Sequence, residues 1–259
     1  MKKFFLVLTA LFSANLYAQN CEQIDIRLAD SYGNMKKYGS YGKYEERDYD
    51  KLEIAIKQFT DTLSAYLKTP ESMQCEFIKT GEAGVYILRS DDNKLRTFSW
   101  DEQSGGSMHD ASAIYQYIDN QNNVVITTEH ANGFEIGPLT YQLSTIKLLD
   151  KIYYLAVDLS IGDGRNHMIS AIFYQITNNG LEYANIIQTS KLTNEINVAF
   201  DPTLINNDVS YPDFTYDEQT QTLSFPVIMP SEDGYGSGKP TNEKIQYKFN
   251  GQHFVRIKN

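Results

Sequence analysis

Tryptophan occurs once in this 259-residue chain, cysteine twice and histidine four times, and those scarcities remove whole classes of chemistry. Cys21 and Cys75 form no C-x-x-C redox motif and cannot supply a four-cysteine zinc site. His109, His130, His167 and His253 stand in no H-x-H or H-E-x-x-H arrangement, so no zinc signature exists. There is no G-x-S-x-G nucleophile elbow, because Ser107 has Gly105 two before it but His109 two after. The stretch Asp233–Thr241 fails as a phosphate loop. Asp233 stands where glycine is needed, and Pro240 where Ser or Thr would meet magnesium. Asp158, Asp163 and Asp201 lie in no D-x-D-x-D-G calcium loop. The expectation is a chain with no metal and no cofactor, and with no assignable catalytic residue. Positive charge is short as well. With 23 Lys+Arg against 33 Asp+Glu the net charge is −10, which argues against nucleic acid, whose phosphates want a basic face.

Long hydrophobic runs are missing too, except at the start. Residues 1–18 read as a secretory signal peptide: Lys2 and Lys3, an apolar run from Phe4 to Phe12 broken only by Thr9, and the small residue Ala18. The run is too short for a span of about 20 residues, so the expectation is no stable membrane insertion after cleavage. Removing this segment takes away two lysines and no acid, and the charge becomes −12. An exported chain folds in an oxidising compartment, which favours a Cys21–Cys75 disulfide. The alternative, a lipidated Cys21, suits the preceding Ala18-Gln19-Asn20 poorly. The place expected is the periplasm or the cell exterior.

What remains predicts a mainly β protein of the α+β kind. It has an N-terminal helical segment over residues 19–75 and a large antiparallel meander of about a dozen strands over 76–259. From Asp48 onwards, Leu52, Ala55, Ile56, Phe59, Leu63, Tyr66 and Leu67 repeat at helical spacing. Cys21 to Tyr38 reads as a shorter helix, followed by a loop, YGSYGKYEE. Beyond Cys75 the period changes from 3.6 to 2. Hairpins are expected at 85–100, 112–129, 141–160, 213–228 and 244–257, the last around Asn250-Gly251. Strands at 167–177 and 181–189 complete the set. Two stretches break the rhythm, a connection at 190–212 and a Gly/Pro/Ser loop at 229–243.

Candidate binding residues come from two features. One is the run Trp100–Asp110, with its Gly105-Gly106 pair beside His109 and Asp110. It reads either as a ligand rim with close backbone approach, or as a hairpin corner in which the glycines take positive φ and Trp100 packs inward. The other is tyrosine, 19 in all. Those in strands follow from β-propensity. The cluster from Tyr38 to Tyr49, with Tyr41 and Tyr44 in a polar stretch, suits a partner better, and Tyr235 stands in the 229–243 loop.

The run F-S-W-D-x-x-x-G-G-S-M-H, with Leu223–Ile228 and Tyr247–Phe254, resembles uncharacterised secreted β-rich proteins of Bacteroidota. That resemblance implies export and a β-rich fold, and supplies no catalytic residue. The function expected is a non-enzymatic binding protein recognising a protein or a glycan. Two alternatives stand beside it. One is a hydrolase of glycan or peptide using His109, Asp110 and Glu129. The other is an inhibitor of a basic secreted enzyme, or a structural envelope protein.

Overall fold

In the computed structural model the helical periodicity read from Asp48 becomes α2, Tyr49–Leu67. The Asp48 carboxylate accepts the Lys51 N–H and caps its start. Leu52, Ala55, Phe59, Leu63, Tyr66 and Leu67 are buried along one stripe, and Ile56 sits at its margin. The structure describes residues 2–130, 138–205, 211–231, 234 and 236–257, without the side chains of 2–19, 129 and 130. The first helix is longer than expected: α1 runs unbroken from Lys2 to Tyr38 and carries Leu28, Tyr32 and Met35 into the same core as α2. Among the described residues no helix is long and apolar enough to cross a membrane.

The disulfide forms as expected. Cys21 on α1 joins Cys75, just after a 3-10 turn at Pro70–Gln74. Strand structure does not begin directly beyond it, because a six-residue helix, α3, occupies Ile78–Ala83. A helix this short has no periodicity to read, and its support comes from elsewhere in the chain. The buried Asp25 carboxylate of α1 accepts the Lys79 and Thr80 N–H groups and the Thr80 hydroxyl.

Fifteen strands follow among the described residues, in three sheets. The first is a meander of β1 Tyr86–Arg89, β2 Leu95–Asp101, β3 Ala111–Ile118 and β4 Val124–His130. The second is built on β5 Leu139–Leu148, β6 Lys151–Asp163 and β7 Asn166–Thr177, with β8 Gly180–Tyr183 also paired to β7. In the third, β9 Ile187–Gln188 and β10 Leu192–Thr193 join β12 Thr215–Asp217, β13 Thr222–Met229, β14 Lys239–Phe249 and β15 Phe254–Arg256. Pairing is antiparallel except between β9 and β15. The expected strand at 181–189 is thus divided between two sheets. Residues 190–212 are not merely a connection: β11, Glu195–Phe200, lies there as an edge strand of the second sheet. It turns Val198 and Phe200 inward while Glu195, Asn197 and Ala199 stay exposed, a pattern too brief to stand out. The 229–243 loop is likewise shortened, because β14 starts at Lys239.

Three apolar cores stack these parts in layers. Helices cover one face of the first sheet through Phe59, Phe98, Trp100 and Ile114. The other face of that sheet meets the second sheet through Leu95, Tyr115, Tyr117, Tyr154 and Tyr174. The second and third sheets sandwich Leu155, Ile169, Phe173, Phe225 and Phe254. Adjacent residues of one strand therefore serve different cores, Tyr153 facing the sandwich and Tyr154 the inner seam. This explains why β6 reads as a buried run rather than an alternation.

Tyrosine is thus a core residue here, with an expected consequence at high pH. Burial pushes the phenols of Tyr32, Tyr141 and Tyr154 well up, helped by the charges of Asp101, Asp213 and Asp92 respectively. Burial and Glu218 take Tyr216 to about 12. A raised folded pKa means that the unfolded chain loses its protons first, near the ordinary value of about 10. Stability contributed below that value should therefore fall steadily as pH rises from about 10 to 12. Phenolate absorbance in an alkaline titration should rise in two stages, the second coincident with loss of circular dichroism. A single stage, complete before unfolding, would contradict the assignment.

Candidate functional site: the loop between β2 and β3

Asp101 ends β2, and its two carboxylate oxygens organise the loop that follows. One accepts the Gln103 N–H at 2.6 Å and the other lies 2.5 Å from His109 Nδ1. A carboxylate only accepts, so Nδ1 carries the proton. Gln103 takes the left-handed conformation, φ 62°, which turns the chain. The expectation that Gly105-Gly106 would supply positive φ is not met. Gly105 is needed because a Cβ there would stand 2.1 Å from the Met108 carbonyl oxygen, closing the loop on itself. The Glu102 N–H donates to the Asp110 carbonyl, and the Ser104 hydroxyl to the Asp110 carboxylate at 2.8 Å.

The loop is also held from outside. The connection after α1 brings the Ser40 N–H to the Gln103 carbonyl at 2.7 Å. Tyr41 lays its ring on His109, with centroids 4.5 Å apart and planes 17° from parallel. Its hydroxyl donates to the Gly106 carbonyl at 2.9 Å. On the far side the His109 N–H donates to the Ile161 carbonyl of β6. Burial, followed by the charges of Asp101 and Asp110, pushes the Tyr41 phenol up to about 12. Burial pulls His167 below the ordinary imidazole value, and the nearby His109 adds to that shift.

Among the residues singled out from sequence, Tyr41, His109 and Asp110 are brought together, although 68 positions separate Tyr41 from His109. Tyr44 is not part of the clamp. It stands three residues on, 80% exposed, with the Arg47 guanidinium over its ring. Trp100 is corrected to the inward-packing reading: it is fully buried and edge-on to Phe59. Tyr235 lies outside the described residues, as does the side chain of Glu129. The neighbours of Tyr235 dock on the β6–β7 turn, where the Ser237 hydroxyl donates to Asn166 Oδ1. Gly236, at φ 79°, has the Arg165–Asp201 ion pair beside it.

Of the residues in the hydrolase reading, His109 meets the carboxylate of Asp101, while that of Asp110 takes the Ser104 hydroxyl. The missed partner had a signal: a carboxylate closing one strand faces a histidine placed just before the next. A carboxylate-held imidazole is the orienting half of an acid–base device. Among the described residues, however, no hydroxyl or thiol hydrogen-bonds to that ring. No group of three or more His, Cys, Asp or Glu among them is placed to hold a metal ion. What the pair does is fix the ring against which Tyr41 rests. No family model, no curated protein and no solved structure matches the chain.

Proposed function

We propose that the protein is an exported, non-enzymatic binding protein whose β2–β3 loop and α1–α2 connection form one prearranged face for a protein partner with a basic surface. The observation that carries this reading is the Asp101–His109–Tyr41 clamp. It immobilises a glycine-containing loop while leaving Tyr41 and Met108 partly exposed at 40% and 46%. A loop ordered before binding loses less conformational entropy when it binds, and tyrosine and methionine are enriched at interfaces. Tyr44 and Tyr49 extend the aromatic content of the connection, in which the acids Glu45, Glu46, Asp48 and Asp50 outnumber Lys43 and Arg47, the sign of charge that suits a basic partner. The leader-like segment at 1–18 and the formed disulfide support export. So does the likeness of the Trp100–His109 run to secreted Bacteroidota proteins.

The test begins with a photo-cross-linking residue in place of Tyr44, used to capture the partner in the native envelope. Binding is then measured with both proteins purified. The double substitution Tyr44→Ala with Met108→Ala removes exposed side chains only. It is expected to weaken binding on the order of thirtyfold, the scale of a 2 kcal/mol hot spot. Raising salt from about 0.15 to 1 M should weaken it further. Binding unchanged by both would overturn the reading.

A further inference from the structure

β4 is an outer strand of the first sheet, and the hydrogen-bond pattern shows which of its backbone groups face away from β3. At the β3–β4 turn the Asp119 N–H donates to the Asn123 carbonyl at 2.9 Å, so those two residues form a hydrogen-bonded pair. Such pairs alternate along an antiparallel ladder, and the register runs from Ile118 opposite Val124 to Ser112 opposite His130 without a shift. Val125 and Thr127 therefore turn their N–H and C=O groups to β3, while Val124, Ile126 and Thr128 turn theirs outward. The Ile118 N–H agrees, since it donates away from β4, to the Lys94 carbonyl. Among the described residues no hydrogen bond reaches the outward groups of Val124, Ile126 and Thr128.

The other sheet edges among the described residues are short or blocked. β1 and β8 span four residues each, β12 three and β10 two. β5 carries a bulge at Tyr141, and its Thr145 N–H is taken by the Asp91 carboxylate at 3.0 Å. β11 opens on the exposed acid Glu195. These are ordinary defences against edge-to-edge pairing, and β4 has none of them. Its seven residues hold no proline, lysine or bulge, and the run from Asn122 to Thr128 carries no charge.

Such an edge is completed by another extended strand, which returns its main-chain hydrogen bonds. We infer that this strand is β4 of a second copy, paired antiparallel about a two-fold axis at Ile126. That register sets Ile126 opposite its own counterpart and Val124 opposite Thr128. All three outward residues then bond one another, each pair exchanging two hydrogen bonds. Charge favours this occupant. A net charge of −10 opposes self-association at an acidic face, yet here an uncharged strand meets its own copy, and Glu129 falls opposite Asn123. Packing agrees. Ile126 lies on the helix side of the sheet, half-buried at the margin of the core that Ile56 also borders, and α2 runs alongside β4. Pairing the two Ile126 side chains extends that apolar surface across the axis. A two-fold contact consumes both free edges, so association closes at a dimer instead of growing into a fibre. The inference does not rest on the loop face at Tyr41.

Sedimentation velocity of the disulfide-intact protein should give twice the monomer mass, with a Kd on the order of 10 μM or below. Thr128→Pro removes an outward N–H from each copy and nothing from the β3–β4 ladder. It should weaken the dimer about tenfold or more while the monomer stays folded. Ile126→Lys, which sets two cations face to face, should do the same. Ile126→Cys reads the register directly. A hydrogen-bonded pair holds its Cα atoms about 5.5 Å apart, within disulfide reach, so the oxidised variant should form a covalent dimer with Cys21–Cys75 intact. Thr128→Cys should not, because its counterpart lies about 13 Å along the paired strand. A protein still monomeric at about 100 μM overturns the inference and leaves the edge to a strand of another protein. So does a dimer that both Thr128→Pro and Ile126→Lys leave intact, or one that Thr128→Cys cross-links as readily as Ile126→Cys. The Tyr44→Ala, Met108→Ala protein should dimerise as the parent does, which separates this edge from the loop face.

Discussion

Replacing Arg96 by Met is expected to destabilise the protein by about 3–5 kcal/mol, an effect larger than most core substitutions produce. Arg96 is 1% exposed, and no carboxylate pairs with it among the described residues. Its charge is met by neutral groups instead. Nη1 donates to the Cys75 carbonyl and Nη2 to the Ser72 carbonyl, each at 2.6 Å, while Nε and Nη2 share Gln116 Oε1. The rings of Phe77 and Phe98 lie 5.0 and 4.8 Å from the guanidinium carbon. Burial, with Arg89 adding like charge, draws the group down to about 9, so it stays protonated at neutral pH. Methionine fills similar volume but leaves the Cys75 carbonyl and Gln116 Oε1 without a donor, and the Ser72 carbonyl with only the Cys75 N–H. Lysine keeps the charge but cannot span acceptors arranged for a planar fork, so Arg96→Lys should fall between Met and the parent. For a chain of this size the midpoint of thermal unfolding should drop by roughly 6–20 °C for Met. A drop under about 3 °C would mean that water or side-chain rearrangement satisfies those acceptors.

The paired substitution Cys21→Ala with Cys75→Ala is expected to cost about 4 kcal/mol on the chain-entropy account, because the bridge closes a separation of 54 residues. Cys75 is almost fully buried, so mild reductant should act slowly on the folded protein and quickly once denaturant opens it. This change and the one at Arg96 are not independent. The Cys75 carbonyl that receives Arg96 belongs to the residue carrying the bridge, so Arg96 ties the 3-10 turn at Pro70–Gln74 to the first sheet while the bridge ties its end to α1. A cycle of the two changes should give a coupling of about 0.5–3 kcal/mol, read from chemical denaturation. Strict additivity would show that the turn is held by its other contacts.

Local pattern carried much of this architecture. α2 is legible because six inward residues repeat over nineteen positions, and the Asn250-Gly251 hairpin because Gly251, at φ 98°, takes a conformation that glycine accepts without strain. α3 was not legible, since the carboxylate that starts it belongs to Asp25, more than fifty residues away. Nor was the burial of the second sheet on both faces, which turned strand tyrosines such as Tyr154 and Tyr174 into core residues. At the loop site, the Gly105–His109 run was visible but its organisation was not. Only the fold places Tyr41 on His109, and the one tryptophan attracted a binding role that burial removes.

The burial of that tryptophan makes it an optical reporter of a single interface. Trp100 lies between the helices and the first sheet, and the sandwich of the second and third sheets contains no other indole to compete with it. Its emission should therefore follow the docking of α2 through Phe59 alone, while the strand signal in circular dichroism follows the sheets. If the two shift together during unfolding, the layers melt as one cooperative unit. If the indole becomes exposed first, the helices leave a β body that is still assembled.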